Sequence, residues 1–87
     1  MRRIAFSKSA LEDFVEWAIL DKKIFLRINQ LISDIQRTPY SGIGKPEALR
    51  FEWSGYWSRR INEEHRLVYQ VNKEDIAIVS CKYHYSK

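Results

Sequence analysis

Two short segments of this sequence concentrate side chains that suit acid–base or anion chemistry. Residues 57–69 carry arginine, glutamate and histidine among alternating apolar residues, and residues 82–85 place His84 between two tyrosines. Arginine's planar fork fits phosphate oxygens, and aromatic rings stack on unpaired bases. Histidine exchanges protons near neutral pH. These residue types together predict a site for an anionic substrate that carries bases.

The reaction that would use all of these groups is cleavage of RNA by its own 2′-hydroxyl. A base takes the hydroxyl proton, a cation stabilises the charge on phosphorus, and an acid protonates the leaving 5′-oxygen. Arg66 is the candidate cation and His84 the candidate acid. The carboxylates available as the base are Glu47, Glu52, Glu63 and Glu64. Glu63 and Glu64 fall in a turn and are expected to be solvated, whereas periodicity does not choose between Glu47 and Glu52.

The ordinary interpretation of a single arginine on a strand is a solvated sheet face. Two such residues, Arg60 and Arg66, near a histidine–tyrosine terminus favour contact with single-stranded RNA instead. The glycine-rich residues 42–45 lack the spacing of a phosphate-binding P-loop, although Lys45 can reach a phosphate from a flexible turn.

A metal site is not expected. Cys81 and His84 would point to opposite faces of a strand, and no further cysteine completes a zinc set. We therefore expect neither a metal nor a cofactor, and Cys81 is expected to be a buried apolar residue.

Length and charge limit the class of protein. The 87 residues are expected to form one domain, 1–87, and the net charge of +4 favours an acidic partner. One cysteine excludes an internal disulfide. Acidic residues follow the N-terminal arginines too early for a signal peptide, and no apolar run approaches the ~20 residues of a spanning helix. We expect a soluble, cytoplasmic protein that does not bind membranes.

Helical spacing dominates the first half of the chain. A short strand is predicted over Arg2–Phe6, followed by a helix that begins at a capping box from Ser9 to Glu12, or alternatively at Ser7. Asp21 is expected to cap a second helix that ends near Arg37, before Pro39. The apolar stripes are predicted at Leu11, Phe14, Val15 and Ala18, with Trp17 beside them, and at Ile24, Ile28, Leu31, Ile32 and Ile35, with Lys22, Lys23, Arg27 and Asp34 outside the second stripe.

From Glu47 onward the pattern alternates with period two, after a loop at residues 39–46. It predicts strands over Ala48–Trp53, Tyr56–Ile61, His65–Val71 and Ile76–Tyr85. Helices followed by strands are typical of α+β proteins with an antiparallel sheet. We therefore predict an N-terminal strand, a helical hairpin and three or four antiparallel strands, with the helices packed on one face of the sheet.

Five blocks of this sequence resemble the YoeB/Txe toxins of the RelE superfamily, which belong to bacterial toxin–antitoxin systems. They are Arg37–Tyr40, Gly42–Glu47, Gly55–Ile61, Glu63–Tyr69 and Cys81–Tyr85. The resemblance extends over nearly the whole chain, and its last three blocks together are highly specific. It implies a RelE-like fold.

The resemblance also implies an activity. Members of this family are metal-independent endoribonucleases that cut mRNA in the ribosomal A site and inhibit translation. Transferred by position, the general base is Glu47, the transition-state stabiliser Arg66 and the general acid His84. Tyr85 would orient the scissile nucleotides, and the phosphate contacts would be Arg50 and Arg60.

The implied partners are the ribosome, mRNA and a cognate antitoxin of the YefM/Phd type. Operator DNA would be bound only through the antitoxin complex, and a homodimer is compatible with the family. Two alternatives remain: a non-catalytic toxin that binds gyrase, like the ParE toxins, or a basic RNA-binding module.

Overall fold

The computed structural model describes residues 1–83. Its elements follow the order strand, two helices and four strands, with a short 3₁₀ helix after the second strand. They are β1 (Arg3–Phe6), α1 (Lys8–Leu20), α2 (Lys22–Arg37), β2 (Glu47–Ala48), the 3₁₀ helix Phe51–Trp53, β3 (Trp57–Arg60), β4 (Arg66–Val71) and β5 (Asp75–Ser80). Within residues 1–83, no helix is long and apolar enough to cross a membrane.

Short polar side chains set the helix boundaries. The Ser7 hydroxyl accepts a hydrogen bond from the Ala10 N–H at 3.2 Å, so Ser7, the alternative to Ser9, is the cap of α1. Asp21 Oδ1 accepts from the Lys23 and Ile24 N–H groups at 3.1 and 3.3 Å. One aspartate thus ends α1 and begins α2, and the two helices form the predicted hairpin.

All five strands form one sheet in the order β1-β5-β4-β3-β2. β1 pairs parallel with β5, and the other neighbours pair antiparallel. Both helices contribute to a core on one face of this sheet. Its buried residues are Ala10, Trp17, Ile28, Leu31, Ile35, Ile61, Leu67, Tyr69, Ile76, Ile78 and Cys81. The predicted α+β arrangement is confirmed.

The predicted buried stripe is confirmed for α2, but in α1 only Phe14 of the four predicted residues packs against the core. In α1 the buried residues are Ala10 and Trp17, whereas Leu11 and Val15 are about half exposed. The Trp17 indole donates to the Cys81 carbonyl at 2.9 Å, and this bond turns the helix so that Trp17 faces the core. A flanking aromatic residue therefore decides the orientation of α1.

Two predicted strands are much shorter in the structure, whereas the other three differ by one or two residues. Ala48–Trp53 is mostly not a strand, because the Trp53 N–H bonds locally to the Arg50 carbonyl at 3.0 Å and Phe51 has a φ of 58°. β5 ends at Ser80, so the strand predicted as far as Tyr85 is too long. The Cys81 carbonyl bonds to Trp17 instead of to a strand, and Tyr83 has a φ of 61°.

Candidate functional site

The strand register places three predicted site residues on the sheet face opposite the helices. Glu47 pairs with Ser58, Ser58 pairs with Val68, and Arg60 pairs with Arg66. Directly paired residues share a face, as do residues two apart on one strand. These five residues define what we call the helix-free face. The Cα atoms of Glu47 and Arg66 lie on the order of 12 Å apart, from strand spacing and rise.

Arg66 begins β4 beside the tight turn that joins it to β3. Its Nη1 donates to the carbonyls of Asn62, His65 and Glu63 at 2.7, 3.1 and 3.3 Å. Within residues 1–83, no acceptor is bonded to its Nε or Nη2. One nitrogen thus anchors the guanidinium, and the remaining N–H donors are available to an anion.

Arg60 lies directly opposite Arg66 on the neighbouring strand. Like charges in this position repel and destabilise a sheet. Among the ion pairs found in the described part of the chain, none includes Arg60 or Arg66. This uncompensated pair is a suitable place for a polyanion.

The turn beside Arg66 is organised by Asn62, whose Oδ1 accepts from the Glu64 and His65 N–H groups at 2.9 and 2.7 Å. Glu63 and Glu64 are exposed, as predicted. The Glu64 carboxylate lies 3.5 Å from His65 Nε2. These two carboxylates are therefore part of the turn surface.

His65 is buried and holds the C-terminal segment in place. Its Nδ1 accepts from the Tyr83 N–H at 2.7 Å, while the Arg66 N–H donates to the Tyr83 carbonyl at 3.0 Å. The His65 ring also packs edge-on against Trp17, with 4.8 Å between ring centroids. We call the pair of hydrogen bonds to Tyr83 the Tyr83 clamp. It fixes the backbone of Tyr83 beside Arg66.

Helix α1 holds the residues just before this clamp. The Lys82 ammonium pairs with the Glu16 carboxylate at 2.6 Å, and the Cys81 thiol lies 3.6 Å from the Ala10 carbonyl. Cys81 is fully buried, as predicted, and burial raises the pKa of its thiol to about 12. The segment 81–83 is thus attached to both α1 and β4. His84 and Tyr85, the predicted acid and orienting residue, lie outside the described residues.

The remaining predicted RNA contacts lie in two cavities. Glu47 and Arg50 line a cavity of about 200 Å³ formed by residues 47–53. Lys45 and Arg60 line a larger one of about 490 Å³. Glu52, the other candidate base, lines the same cavity as Glu47 but is exposed in the 3₁₀ helix and has no place in the register of the helix-free face.

A buried ionic network connects the residue 38–46 loop to the sheet. The Arg59 guanidinium is fully buried and pairs with Asp34 Oδ2 at 2.6 Å. It also donates to the carbonyls of Thr38, Ser41 and Ile43 at 2.6, 2.8 and 3.1 Å. This network positions the chain that leads to Lys45 and Glu47.

Two side chains that are hydrogen-bonded to Arg59, those of Asp34 and Tyr69, have shifted pKa values. The Ile43 N–H and then the Arg59 guanidinium stabilise the ionised Asp34 and lower its pKa. Burial raises the pKa of Tyr69, whose hydroxyl accepts from Arg59 Nε at 3.1 Å and donates to the Pro39 carbonyl at 2.7 Å. The prediction that Asp34 lies outside the buried stripe is wrong, because Arg59 draws it inward.

Two of these features were detectable in the sequence pattern. Arg59 alternates with Trp57 and Ile61, and Asp34 lies next to Ile35 in the apolar stripe of α2. A cation and an anion on facing buried surfaces indicate a pair. The role of His65 has no comparable local signal, since its partner lies 18 residues away.

Metal chemistry has no obvious ligand set here. In the stretch from residue 1 to residue 83, no group of three His, Cys, Asp or Glu side chains is arranged to hold an ion. Among residues 1–83 the site contains a carboxylate, arginines and a lysine, and these suit binding and proton transfer.

Known proteins are similar to this chain in sequence and fold. The sequence model for the YoeB-like toxin of bacterial type II toxin–antitoxin systems matches residues 6–85. Toxin YoeB of Mycobacterium bovis is 52% identical over 85 residues, covering 98% of this chain and 100% of that protein.

Solved structures agree with this match. The YoeB dimer from Staphylococcus aureus is 50% identical with a TM-score of 0.91, covering 97% of this chain and 98% of that one. The heterotetrameric YoeB–YefM toxin–antitoxin complex from the same organism is 50% identical with a TM-score of 0.89, covering 98% and 99%. The predicted RelE-like fold is thereby confirmed. The chain belongs to the YoeB-like toxins of bacterial type II toxin–antitoxin systems.

Proposed function

We propose that this toxin is a ribosome-dependent endoribonuclease that cuts mRNA in the A site and so inhibits translation in the cytoplasm. The observation that carries the proposal is the register of the sheet, which puts Glu47 and Arg66 on the same face. A carboxylate and a partly anchored guanidinium on one surface are two of the three groups that 2′-hydroxyl attack needs.

In this mechanism Glu47 is the general base. Its carboxylate is exposed on β2, at the edge of the sheet, where a strand of RNA can approach it. It takes the 2′-hydroxyl proton while the oxygen attacks the adjacent phosphorus. The bond from phosphorus to the 5′-oxygen breaks, leaving a 2′,3′-cyclic phosphate and a 5′-hydroxyl. Arg66 stabilises the additional negative charge that develops on the phosphoryl oxygens.

The general acid is His84, which protonates the leaving 5′-oxygen. The Tyr83 clamp supports this assignment, because the residue that precedes His84 is hydrogen-bonded to the Arg66 backbone. Tyr85 orients the nucleotides on either side of the cut. No metal or other cofactor takes part in any of these steps.

The cations around these residues bind the RNA backbone. Arg50 lines the same cavity as Glu47, and Lys45 lines the same cavity as Arg60. Phosphate contacts of this kind position a strand without reading its sequence. They hold the scissile phosphate between base and acid on the ribosome.

The proposed protein partner is a YefM-like antitoxin. A Staphylococcus aureus YoeB that is 50% identical assembles with YefM into a heterotetramer, and another YoeB structure from that organism is a dimer. We infer that this chain binds an antitoxin of that class, forms a homodimer without it, and reaches operator DNA only through the complex.

The test is primer-extension mapping of an mRNA bound to translating ribosomes. Intact mRNA is compared with mRNA that carries a 2′-deoxy nucleotide at the scissile position. We expect a cut in the A-site codon of the intact mRNA and none in the deoxy mRNA or in mRNA without ribosomes. Cleavage of the deoxy mRNA would exclude 2′-hydroxyl attack, and equal cleavage of free mRNA would exclude dependence on the ribosome.

A further inference from the structure

A basic cavity lies between α2 and the β3–β4 turn. Its volume is about 490 Å³, and its lining includes Arg27, Lys45, Arg60, Asn62 and Glu63. The lining therefore carries three cations and one carboxylate. The size is in the ordinary range for ligand pockets, roughly 300–1,000 Å³. Arg27 lies on α2, outside the apolar stripe that the sequence predicts for that helix.

Close packing at Gly44 brings these cations together. Gly44 has a φ of 81°, and a Cβ atom there would lie 2.8 Å from Leu31 Cδ2 and 3.1 Å from the Arg60 carbonyl oxygen. The chain thus passes tightly between α2 and β3. Arg27 precedes Leu31 by one helical turn, so both lie on the same side of α2. Lys45, which follows Gly44, lines the same cavity as Arg27.

The cations keep donors available for a ligand. Arg27 Nη1 donates to Gln30 Oε1 at 3.1 Å, and its other nitrogens have no acceptor within residues 1–83. In the same described range, none of the ion pairs includes Lys45, Arg60 or Glu63. Arg27 is half-buried, which orders its stem and lowers the entropy lost on binding. The cavity therefore offers an anion free donors, and Arg27 is the most ordered of its cations.

Arg60 connects this cavity to the helix-free face. It lines the cavity and is also paired with Arg66 in the sheet. An RNA strand that lies on the helix-free face at Arg66 is therefore next to Arg60, which also lines the cavity together with Arg27. Guanidinium forks fit phosphate oxygens, so these arginines suit neighbouring phosphates of single-stranded RNA.

We propose that this cavity binds a backbone phosphate of the substrate RNA, outside the site of cleavage, and that Arg27 is one of its ligands. The proposal rests on the proposed function, because it takes the strand that Glu47 and Arg66 act on as the ligand. Arg27 has no contact with the reacting atoms and acts only in binding.

The test measures binding of a fluorescent, fully 2′-O-methylated single-stranded RNA by anisotropy over a range of salt concentrations. Arg27→Gln is compared with Lys73→Gln, which removes the same charge from the exposed β4–β5 turn. That turn lies about 20 Å away at the other end of β4. Thermal unfolding of both variants checks that the fold is intact.

We expect Arg27→Gln to weaken binding about fivefold and to reduce the salt slope by about 0.7, the change for one phosphate contact on a single strand. Lys73→Gln should leave the slope unchanged, and Arg27→Lys should retain the slope. Equal effects of Arg27→Gln and Lys73→Gln would overturn the proposal, as would wild-type binding that is absent or independent of salt. An Arg27→Gln defect on ribosomes but not on the free strand would assign the cavity to ribosomal RNA instead.

This probe cannot be cleaved, so its binding does not depend on catalysis. If Arg27→Gln binds the probe as tightly as the wild type does, the cavity is not a phosphate site, and the nuclease mechanism is unaffected. Conversely, an intact Arg27 effect combined with cleavage of deoxy mRNA would reject the mechanism and retain the cavity.

Discussion

His65 Nδ1 accepts a hydrogen bond from the backbone N–H of Tyr83 at 2.7 Å. Because Nδ1 is the acceptor, the imidazole must be neutral with its proton on Nε2. The His65 ring is buried against Trp17, and His65 directly precedes Arg66 in the sequence. One buried side chain therefore joins the arginine of the proposed site to the segment that leads to the proposed acid.

Removing this acceptor should loosen the Tyr83 clamp without unfolding the protein. His65→Phe keeps an aromatic ring against Trp17 but leaves the Tyr83 N–H without a partner, which costs about 1–3 kcal/mol. We expect faster hydrogen exchange at the Tyr83 amide and at least a roughly tenfold loss of cleavage rate, since small displacements of a catalytic group are costly.

The matched variant is His65→Asn, whose side-chain oxygen can accept in place of Nδ1. It should retain protection at Tyr83 and most of the cleavage rate. If both variants lose the same activity, or if His65→Phe keeps wild-type protection at Tyr83, the clamp has no positioning role.

Asp34→Asn should strongly destabilise the protein. The change leaves the buried Arg59 guanidinium without its anion, and removing one partner of a buried pair costs about 3–5 kcal/mol. Urea unfolding measures the loss. Glu74→Gln, which neutralises an exposed turn carboxylate, is the control and should shift the midpoint little. A loss below about 1 kcal/mol for Asp34→Asn would contradict this account of the network.

The Asp34 contribution should also depend on pH. Its pKa in the folded protein is lowered from 3.8, so the unfolded chain takes up the proton first as pH falls. The stabilisation is complete above the unfolded-state pKa and is lost as pH falls through the folded-state pKa. Stability differences between wild type and Asp34→Asn should be constant from about pH 7 to about pH 5 and shrink below about pH 4. A stability difference that grows in acid would show that folding raises the pKa of Asp34 instead of lowering it.

Alanine substitutions at Gly44 and Gly55, which both have a positive φ, should distinguish the cost of backbone strain from the cost of overpacking. Gly44→Ala puts a Cβ 2.8 Å from Leu31, whereas Gly55→Ala, with a φ of 95°, meets nothing within 4 Å. Both substitutions carry the left-handed penalty of about 1–2 kcal/mol. Gly44→Ala should cost about 1–3 kcal/mol more because of overpacking. Equal losses in thermal or urea unfolding would mean that the loop is not tightly seated on α2.

Cys81 should be unreactive in the folded protein. Burial raises the pKa of its thiol to about 12, so on the order of one part in ten thousand is thiolate near pH 8. We expect no measurable reaction with a coloured aromatic disulfide reagent in native buffer and rapid stoichiometric reaction in urea. Fast labelling of the native protein would show that the segment at residues 81–83 detaches from α1.

Local pattern was sufficient for much of the fold. The cap at Asp21, the end of α2 near Arg37 and the apolar stripe of α2 each depend on neighbours within one or two helical turns. The two strands and the shared face of Arg60 and Arg66 follow from alternation across a short turn, whereas the register that pairs them is seen only in the structure. These features need no knowledge of distant contacts.

The errors come from distant contacts. The face of α1 and the end of β5 are both set by the Trp17–Cys81 bond, which spans 64 residues. The pattern places Asp34 outside the apolar stripe of α2, because its partner, Arg59, lies 25 residues away. The choice of Glu47 over Glu52 came from family resemblance, and the register then placed Glu47 on the face that carries Arg66.

The most direct test of the proposed site compares Glu47→Ala with Glu52→Ala in single-turnover cleavage of mRNA on programmed ribosomes. The two carboxylates are five residues apart, and only Glu47 belongs to the helix-free face. We predict a loss of about 10²–10⁴ in rate for Glu47→Ala, the usual value of a general base, and a change within about threefold for Glu52→Ala. Undiminished cleavage by Glu47→Ala would contradict the account.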